Sequence, residues 1–172
     1  MESSAELSRC GRYRYALRRT WDATLPKMLF IGLNPSTADA TSDDNTSRVC
    51  IGYARRWGFG GLLLGNLFAW RSTDPAALRA VPDPVGPRND LHLRALQEEA
   101  ALVVCAWSDA GALLDRDRAV LAWLRAPHCL ARLKSGRPGH PLYKRAELQP
   151  VPLQAHGAVD AIVNYPDRAD RP

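Results

Sequence analysis

A carboxamide and an imidazole are the side chains best placed to do chemistry, because each lies in a turn-forming stretch that follows an apolar run. Asn34 comes directly after one such run and precedes Pro35 and Ser36. Its amide both donates and accepts hydrogen bonds, so it could hold a water molecule, recognise the edge of a base, or only cap a turn. His140 ends a Gly- and Pro-rich stretch, where it could donate a proton, stabilise a charge or simply face solvent.

Further polar and aromatic side chains near these turns could bind a substrate. Arginine is the residue best suited to phosphate, and aromatic rings can stack on bases. The alternative for each of these side chains is an ordinary place on the surface or in the core. We predict that the substrate-binding residues are Pro35, Ser36, Arg55, Asn66, Trp70, Arg137 and Tyr143.

Three carboxylates, Asp39, Asp43 and Asp44, lie beside the Asn34 turn. One could act as a general base, or two could bind a divalent cation. Their spacing matches no standard ligand pattern, and helix caps or solvated loop charges are the alternative. We therefore predict no metal site and no cofactor, and we keep a metal-dependent phosphoester hydrolase that uses these three carboxylates as an alternative.

Four short apolar runs must position these turns. Each run has the composition of a strand buried on both faces, and stretches with helical spacing separate the runs. Strands that alternate with helices form a mostly parallel α/β sheet, in which ligands bind at the carboxyl ends of the strands. We expect the polar turns to converge at one edge of such a sheet, whose strands are residues 27–33, 61–69, 101–107 and 128–133.

Two further elements are predicted from periodicity. Residues 13–18 alternate between apolar and polar side chains, as a half-exposed strand does. After Ser108 and Asp109, either of which could cap a helix, a set of apolar residues falls on one helical face and predicts a continuous helix. These residues are Leu113, Leu114, Val120, Leu121 and Leu124.

Length and composition indicate one α/β domain. The chain has 172 residues, of which 46% are hydrophobic and 24% are charged, and this excludes collagen-like and wholly disordered classes. We assign residues 1–152 to the domain and residues 153–172 to a weakly patterned C-terminal tail. No apolar run approaches the roughly 18 residues of a membrane span, and four scattered cysteines indicate free thiols. We therefore expect a cytoplasmic protein without a membrane partner.

The net charge of the chain bears on the kind of partner that it binds. Lysine and arginine number 23 against 18 acidic residues, which gives a net charge of +5. This excess would help to recruit a polyanion, although a mildly basic protein needs no such partner. We predict nucleic acid or a nucleotide as the partner, and the oligomeric state stays open.

Several motifs resemble those of an uncharacterised bacterial family, a numbered domain of unknown function. The resemblance covers about residues 12–152 and names a family without naming a function. The motifs that carry it are Tyr13-Arg14-Tyr15, Leu33-Asn34-Pro35-Ser36-Thr37-Ala38-Asp39, Asp43-Asp44-Asn45-Thr46, Ala54-Arg55-Arg56-Trp57-Gly58, Asn66-Leu67-Phe68-Ala69, Asp83-Pro84-Val85-Gly86-Pro87 and His140-Pro141-Leu142-Tyr143.

The layout is also distantly similar to the uracil-DNA glycosylase superfamily. Gly32-Leu33-Asn34-Pro35, Asn66-Leu67 and His140-Pro141 resemble motifs at three strand ends of those enzymes. Where they begin a helix with glycine, this chain has Trp107-Ser108. The resemblance implies a three-layer αβα sandwich around a mostly parallel sheet of about four strands.

The same resemblance implies a hydrolase of an N-glycosidic bond in DNA, RNA or a nucleotide. Asn34 would position the attacking water and His140 would stabilise the anionic leaving base, which makes them the two predicted catalytic residues. A non-catalytic module that binds a nucleotide or nucleic acid in the same crevice is the main alternative. Catalysis requires that both side chains converge on one pocket with an aromatic wall.

Overall fold

A seven-stranded mixed sheet with helices on both faces forms the framework of the chain. The computed structural model describes residues 1–153, so the predicted tail lies, except for its first residue, outside the described residues. The elements in chain order are β1 Glu2–Leu7, β2 Arg14–Thr20, β3 Lys27–Gly32, α1 Asn45–Arg56, β4 Gly61–Asn66, a 3₁₀ helix Pro75–Arg79, α2 Asn89–Glu99, β5 Ala100–Cys105, a second 3₁₀ helix Asp109–Asp115, α3 Arg116–Leu121, β6 His128–Cys129 and β7 Val151–Pro152.

The strand order in the sheet is β1-β2-β4-β3-β5-β6-β7. Strands β4, β3, β5 and β6 are parallel to one another, and these are the four strands predicted from the sequence. Strands β1, β2 and β7 extend the sheet on its two sides in antiparallel pairings. The α/β class is therefore confirmed, and the sheet has three strands beyond its parallel centre.

The central strand β3 shows why this sheet needs helices on both sides. Met28 and Phe30 pack into the core under α1, while Leu29 and Ile31 pack into the core under α2 and α3. All four side chains are almost completely buried. A strand that is apolar on both faces can only be accommodated between two layers of helix.

The predicted continuous helix after Asp109 is wrong. Leu114 and Asp115 have left-handed backbone angles, with φ of 56° and 51°, so the segment divides into a 3₁₀ helix and the short α3. Leu114, which the helical pattern places in the core, is 66% exposed. Within residues 1–153, no helix is both long enough and apolar enough to cross a bilayer.

Candidate functional site

A cavity of about 440 Å³ opens where β3, β4 and β5 end, and we call it the strand-end cavity. The carboxyl ends of these parallel strands lie side by side, so the segments that follow them surround one space. Its volume is in the range of small-molecule sites. The polar side chains that line it belong to Arg14, Asn34, Ser36, Asp44, Thr46, Ser47, Asn66, Ser72, Thr73, Ser108 and His140.

Asn34 uses one end of its amide to hold the site together. Its Nδ2 donates to the backbone oxygens of Ser72 at 2.9 Å and Pro35 at 3.2 Å. These bonds fasten the loop after β4 to the loop after β3. The Oδ1 atom accepts no hydrogen bond from the described residues, so the group that Asn34 offers to the cavity is an acceptor.

Asn66 is the last residue of β4 and lines the cavity with an amide that has no protein partner. The residue is only 7% exposed, and its side chain makes no hydrogen bond within residues 1–153. A Cβ atom on the neighbouring Gly32 would lie 3.0 Å from Asn66 Oδ1, so glycine at that position leaves room for the amide. A buried amide of this kind is available to pair with a ligand.

His140 presents a neutral imidazole to the cavity. Its Nδ1 accepts a hydrogen bond from the backbone N–H of Leu142 at 3.2 Å, so the neutral ring carries its proton on Nε2. Burial lowers the pKa of His140, and the nearby carboxylate of Asp44 opposes this only in part. At neutral pH the side chain is therefore an uncharged donor through Nε2–H.

Phe30 and Trp107 give the cavity an aromatic wall. Both rings are about 1% exposed overall, so they belong to the packed core as well as to the lining. The indole of Trp107 packs directly on Gly111, where a Cβ atom would lie 2.2 Å from Trp107 Cδ1. Glycine at position 111 is therefore needed to seat the indole.

Ser108 lines the cavity in a strained backbone conformation. Its φ is 59° and its ψ is −166°, a combination that is essentially limited to glycine. Its N–H donates to the backbone oxygen of Pro138 at 2.8 Å, which joins the turn after β5 to the loop that carries His140. Strain of this kind concentrates at functional sites.

The family model described as "Protein of unknown function (DUF1643)" matches residues 14–142. The chain belongs to this family. The match begins at Arg14 and ends at Leu142, and every residue that lines the strand-end cavity falls within it. Comparison with curated proteins and with solved structures gives no match. The distant resemblance to uracil-DNA glycosylases therefore stays a prediction, whereas membership of an uncharacterised family is confirmed.

Three of the predicted binding residues, Trp70, Arg55 and Pro35, lie outside the cavity lining. The ring of Trp70 packs edge-on against Tyr13, with ring centroids 5.4 Å apart, and Trp70 is not part of the cavity lining. Arg55 lies in the last turn of α1 and its guanidinium stacks on Trp21 at 4.4 Å, whereas the first turn of that helix faces the cavity. Pro35 contributes a backbone oxygen to Asn34 and does not line the cavity.

The other two predicted binding residues, Arg137 and Tyr143, also lie outside the cavity lining. Arg137 Nε pairs with Asp117 Oδ2 at 2.8 Å, and the Asp117 side chain is only 4% exposed. This ion pair fixes the His140 loop to α3. Tyr143 is fully exposed, with a left-handed φ of 63°. Neither side chain is placed to contact a ligand inside the cavity.

Each of the three candidate metal-binding carboxylates has a structural partner. Asp39 accepts from the N–H groups of Thr41 and Ser42, which lower the pKa of Asp39. Asp43 pairs with Arg19 at 2.9 Å. Asp44 caps α1 and is the member of this group that lines the cavity. Within residues 1–153, no cluster of three or more His, Cys, Asp or Glu could hold a metal ion.

Sequence analysis does not assign Arg14 and Ser108 to the site, yet both line the cavity. In the sequence, Arg14 is a charged residue of an alternating strand and belongs to the Tyr13-Arg14-Tyr15 motif of the family resemblance. Neither feature indicates that its side chain faces the cavity. The strained angle of Ser108 has no sequence signal, because serine is an ordinary residue before a helix.

Proposed function

We propose that the strand-end cavity binds a nucleotide-like ligand and hydrolyses the N-glycosidic bond between its base and its sugar. The observation that carries the proposal is the convergence of Asn34, Asn66 and His140 on one cavity. Each offers a hydrogen-bonding atom with no partner among the described residues. Phe30 and Trp107 supply the flat apolar wall that a heterocyclic base requires.

Asn66 is the group best suited to recognise the base. Its amide presents an acceptor and a donor side by side, which matches an N–H next to a C=O on the edge of a base. Because the amide is buried, a ligand that lacks this edge would leave both atoms unpaired, at a cost of about 1–3 kcal/mol for each group. Asn66 therefore favours bases with an amide-like edge.

His140 is proposed to stabilise the leaving base. When the bond between the base and the anomeric carbon breaks, its electron pair remains on the base, which becomes negative. The Nε2–H of a neutral imidazole can donate to an oxygen of that base, and this bond strengthens as charge develops. Since burial lowers the pKa of His140, no extra proton has to be bound for this role.

Asn34 is proposed to hold the attacking water. Its Oδ1 accepts a hydrogen bond from the water, whose oxygen then bonds to the anomeric carbon as the base departs. Asp44, a carboxylate in the same lining, can accept the proton that the water loses. The products are the free base, reprotonated from solvent, and a sugar with a hydroxyl group on its anomeric carbon.

The order of these groups along the chain supports the same proposal. Asn34 follows β3, Asn66 ends β4, and His140 lies in the loop after the last parallel strand, β6. This order is similar to that in the uracil-DNA glycosylase superfamily. We accordingly propose that the two helical layers and the sheet form an αβα sandwich of that type. This part of the argument is an analogy of fold and adds to the chemistry of the cavity without replacing it.

A non-catalytic nucleotide-binding module is the second candidate. The observation that favours it is the engagement of Asp44, whose Oδ1 already accepts from the N–H of Ser47 at 2.8 Å. A carboxylate used as a helix cap is a poorer base for water. No comparable observation favours metal-dependent phosphoester hydrolysis, because Asp39 and Asp43 are occupied by other partners.

We place the activity in the cytoplasm. All four cysteines are free thiols, and Cys50, Cys105 and Cys129 are buried. Burial raises the pKa of each of these three thiols, so they stay protonated and inert. A reducing compartment suits such a protein.

The experiment that tests the hydrolase is an assay for free base. Nucleosides, nucleoside monophosphates and uracil-containing DNA are incubated with the protein, with and without a chelator, and released base is separated by chromatography. We expect release from at least one class, unchanged by the chelator. Asn34→Ala and His140→Ala should each lower kcat on the order of 100-fold with a smaller change in KM.

His92 supplies the matched control. It is a histidine that stacks on Tyr15 and lies outside the strand-end cavity, so His92→Ala should leave kcat unchanged. Ligand-induced stabilisation without release of base from any substrate would favour the binding module. Release that disappears with the chelator but persists in both cavity variants would reject the proposed mechanism.

A further inference from the structure

Arg14 is a buried cation without a counterion. The residue is 4% exposed, and no carboxylate of the described residues lies within 4 Å of its guanidinium nitrogens. Nη1 donates to the backbone oxygen of Ala38, whereas Nε is buried with no hydrogen-bond partner. Arg14 also lines the strand-end cavity. The edge of the guanidinium formed by Nε and Nη2 is thus left without a protein acceptor.

Other buried arginines of this fold are paired. Arg19, which is 2% exposed, binds Asp43, and Arg116, which is 6% exposed, binds Asp90. Removing a cation from water costs several kcal/mol unless a charged or hydrogen-bonding partner compensates. The exception at Arg14 lies where the protein meets a cavity, so the missing partner is best supplied by a ligand.

A β-bulge directs Arg14 to this position. The register between β1 and β2 shifts so that Ala16 opposes Glu6 and Arg14 opposes Leu7, which leaves Tyr15 as an extra residue. Because side chains alternate along a strand, one extra residue moves Arg14 to the face of the sheet that carries α1. Bulges often redirect a side chain next to a functional site.

The first turn of α1 faces the same space. Thr46 and Ser47 line the cavity, and the partial positive charge of a helix N-terminus favours anions. Asp44 also faces the cavity, where it caps the helix and lies more than 4 Å from the Arg14 guanidinium. Its carboxylate therefore reduces the positive electrostatic potential in the cavity but forms no ion pair with Arg14.

We propose that Arg14 and the N-terminus of α1 bind the terminal phosphate of a nucleoside monophosphate in the strand-end cavity. The inference rests on the proposed function and specifies its substrate class. The Nη2 group has no acceptor among the described residues, so it can donate a charge-assisted hydrogen bond to a phosphate oxygen, and the guanidinium charge attracts the anion. A phosphate inside a polymer continues on both sides, whereas a buried arginine in a cavity of about 440 Å³ suits a phosphate at the end of a small molecule.

The first test measures the melting temperature with inorganic phosphate, then with nucleoside monophosphates and their nucleosides. We expect phosphate and at least one monophosphate to raise the Tm of the wild-type protein. That monophosphate should bind at least about 30-fold more tightly than its nucleoside, as for a charge-assisted contact. Equal affinity for the two, or no stabilisation by phosphate, would overturn the proposal without any variant.

The second test compares Arg14→Met with Arg19→Met. Arg14→Met should abolish the shift in Tm caused by phosphate and weaken monophosphate binding about 30-fold or more. In the absence of ligand its Tm should fall less than that of Arg19→Met, because the backbone oxygen of Ala38 loses a hydrogen bond but no carboxylate loses its partner. Arg19→Met, which leaves the Asp43 carboxylate without its cation, should lower the Tm but retain the shift in Tm caused by phosphate.

A third variant tests the carboxylate of Asp44, whose negative charge opposes the binding of phosphate in the cavity. Asp44→Ser keeps a good helix cap while it removes the negative charge, so it should tighten the binding of phosphate. Monophosphate binding that depends on Arg14 without release of base would reject the hydrolase and keep the phosphate site. Base release that is equal for nucleosides and monophosphates and unaffected by Arg14→Met would keep the hydrolase and reject the phosphate site.

Discussion

The amide of Asn34 serves the fold with its nitrogen and the cavity with its oxygen. The bonds to Ser72 and Pro35 fix the orientation of the side chain, so Oδ1 cannot rotate away from its place. An isolated loop asparagine would have no such constraint. The structural role seen here and the proposed role in holding water are therefore compatible, since the first positions the atom that performs the second.

His140 should make the stability of the protein depend on pH. Burial lowers its pKa in the folded state, so the unfolded chain binds the proton more readily. The resulting stability is present above the unfolded pKa of about 6.5 and is lost as the pH falls through the folded pKa. His140→Gln should flatten the dependence of Tm on pH below about 6.5, as followed by thermal melts.

The control for that measurement is His92, whose pKa burial also lowers. Its contribution remains in the His140→Gln variant, so the flattening should be partial. If the wild type and His140→Gln lose stability in parallel on acidification, folding does not lower the pKa of His140, and burial is not what keeps its imidazole neutral.

Ser108 offers a test of the strain stored beside the cavity. Its φ of 59° is unfavourable for serine and free of cost for glycine. Ser108→Gly should therefore leave the free energy of unfolding unchanged or raise it by about 1 kcal/mol, although glycine usually destabilises a protein. Ser108→Ala should give no such gain, and chemical denaturation of both variants distinguishes strain relief from loss of the hydroxyl.

Sequence reasoning found the cavity side chains that directly follow or end buried strands. Asn34 and Asn66 needed only the rule that parallel strands present their carboxyl ends at one edge. Arg14 could not be found in the same way, because the bulge at Tyr15 reverses which face it occupies and a bulge has no local signature here. The position of Arg137 was equally hidden, since its partner Asp117 lies on another element.

At the scale of elements, the ion pair of Arg137 and Asp117 joins the His140 loop to α3. Arg137→Ala would leave a carboxylate that is 4% exposed without its cation. Breaking a buried pair from one side typically costs about 3–5 kcal/mol, and the partial exposure of Arg137 places this pair near the lower end. We expect a matching loss in the free energy of unfolding from urea denaturation.

Arg55→Ala is the control for that loss. Its guanidinium stacks on Trp21 without a buried carboxylate, so the expected cost is about 1 kcal/mol or less. Equal losses in the two variants would show that Arg137 contributes by packing and not through its charge. In that case Asp117 would have to be compensated by another group.

The elements that the sequence predicted are those with a strong apolar pattern. Strands β3, β4 and β5 are apolar on both faces, which is the composition that predicted them. Strand β1 is mostly exposed at the edge of the sheet, so no alternation marks it. The segment after Asp109 has helical spacing, but left-handed angles at two residues interrupt it, and propensity does not reveal such a kink.

The net charge of the whole molecule does not by itself locate a phosphate-binding site. Many of the arginines are paired with acidic residues in the fold, among them Arg18, Arg19, Arg116, Arg125 and Arg137. A paired cation contributes little to the potential that a distant phosphate experiences. The excess of +5 is a sum over the whole sequence, whereas the cavity lining contains one arginine, Arg14, and that arginine has no carboxylate partner.

This distribution predicts how binding depends on salt. A protein that neutralises many phosphates of a duplex releases condensed counterions and loses about 10³–10⁵ in affinity between about 50 and 200 mM salt. A nucleoside monophosphate has no condensed counterions, so we expect its binding to weaken only modestly with salt, through screening, and we expect only weak binding of a short DNA duplex. Titrations by fluorescence and calorimetry at several salt concentrations measure both. Tight duplex binding with a slope of about −4 or steeper would mean that the surface arginines, and not Arg14 in the cavity, meet the phosphates.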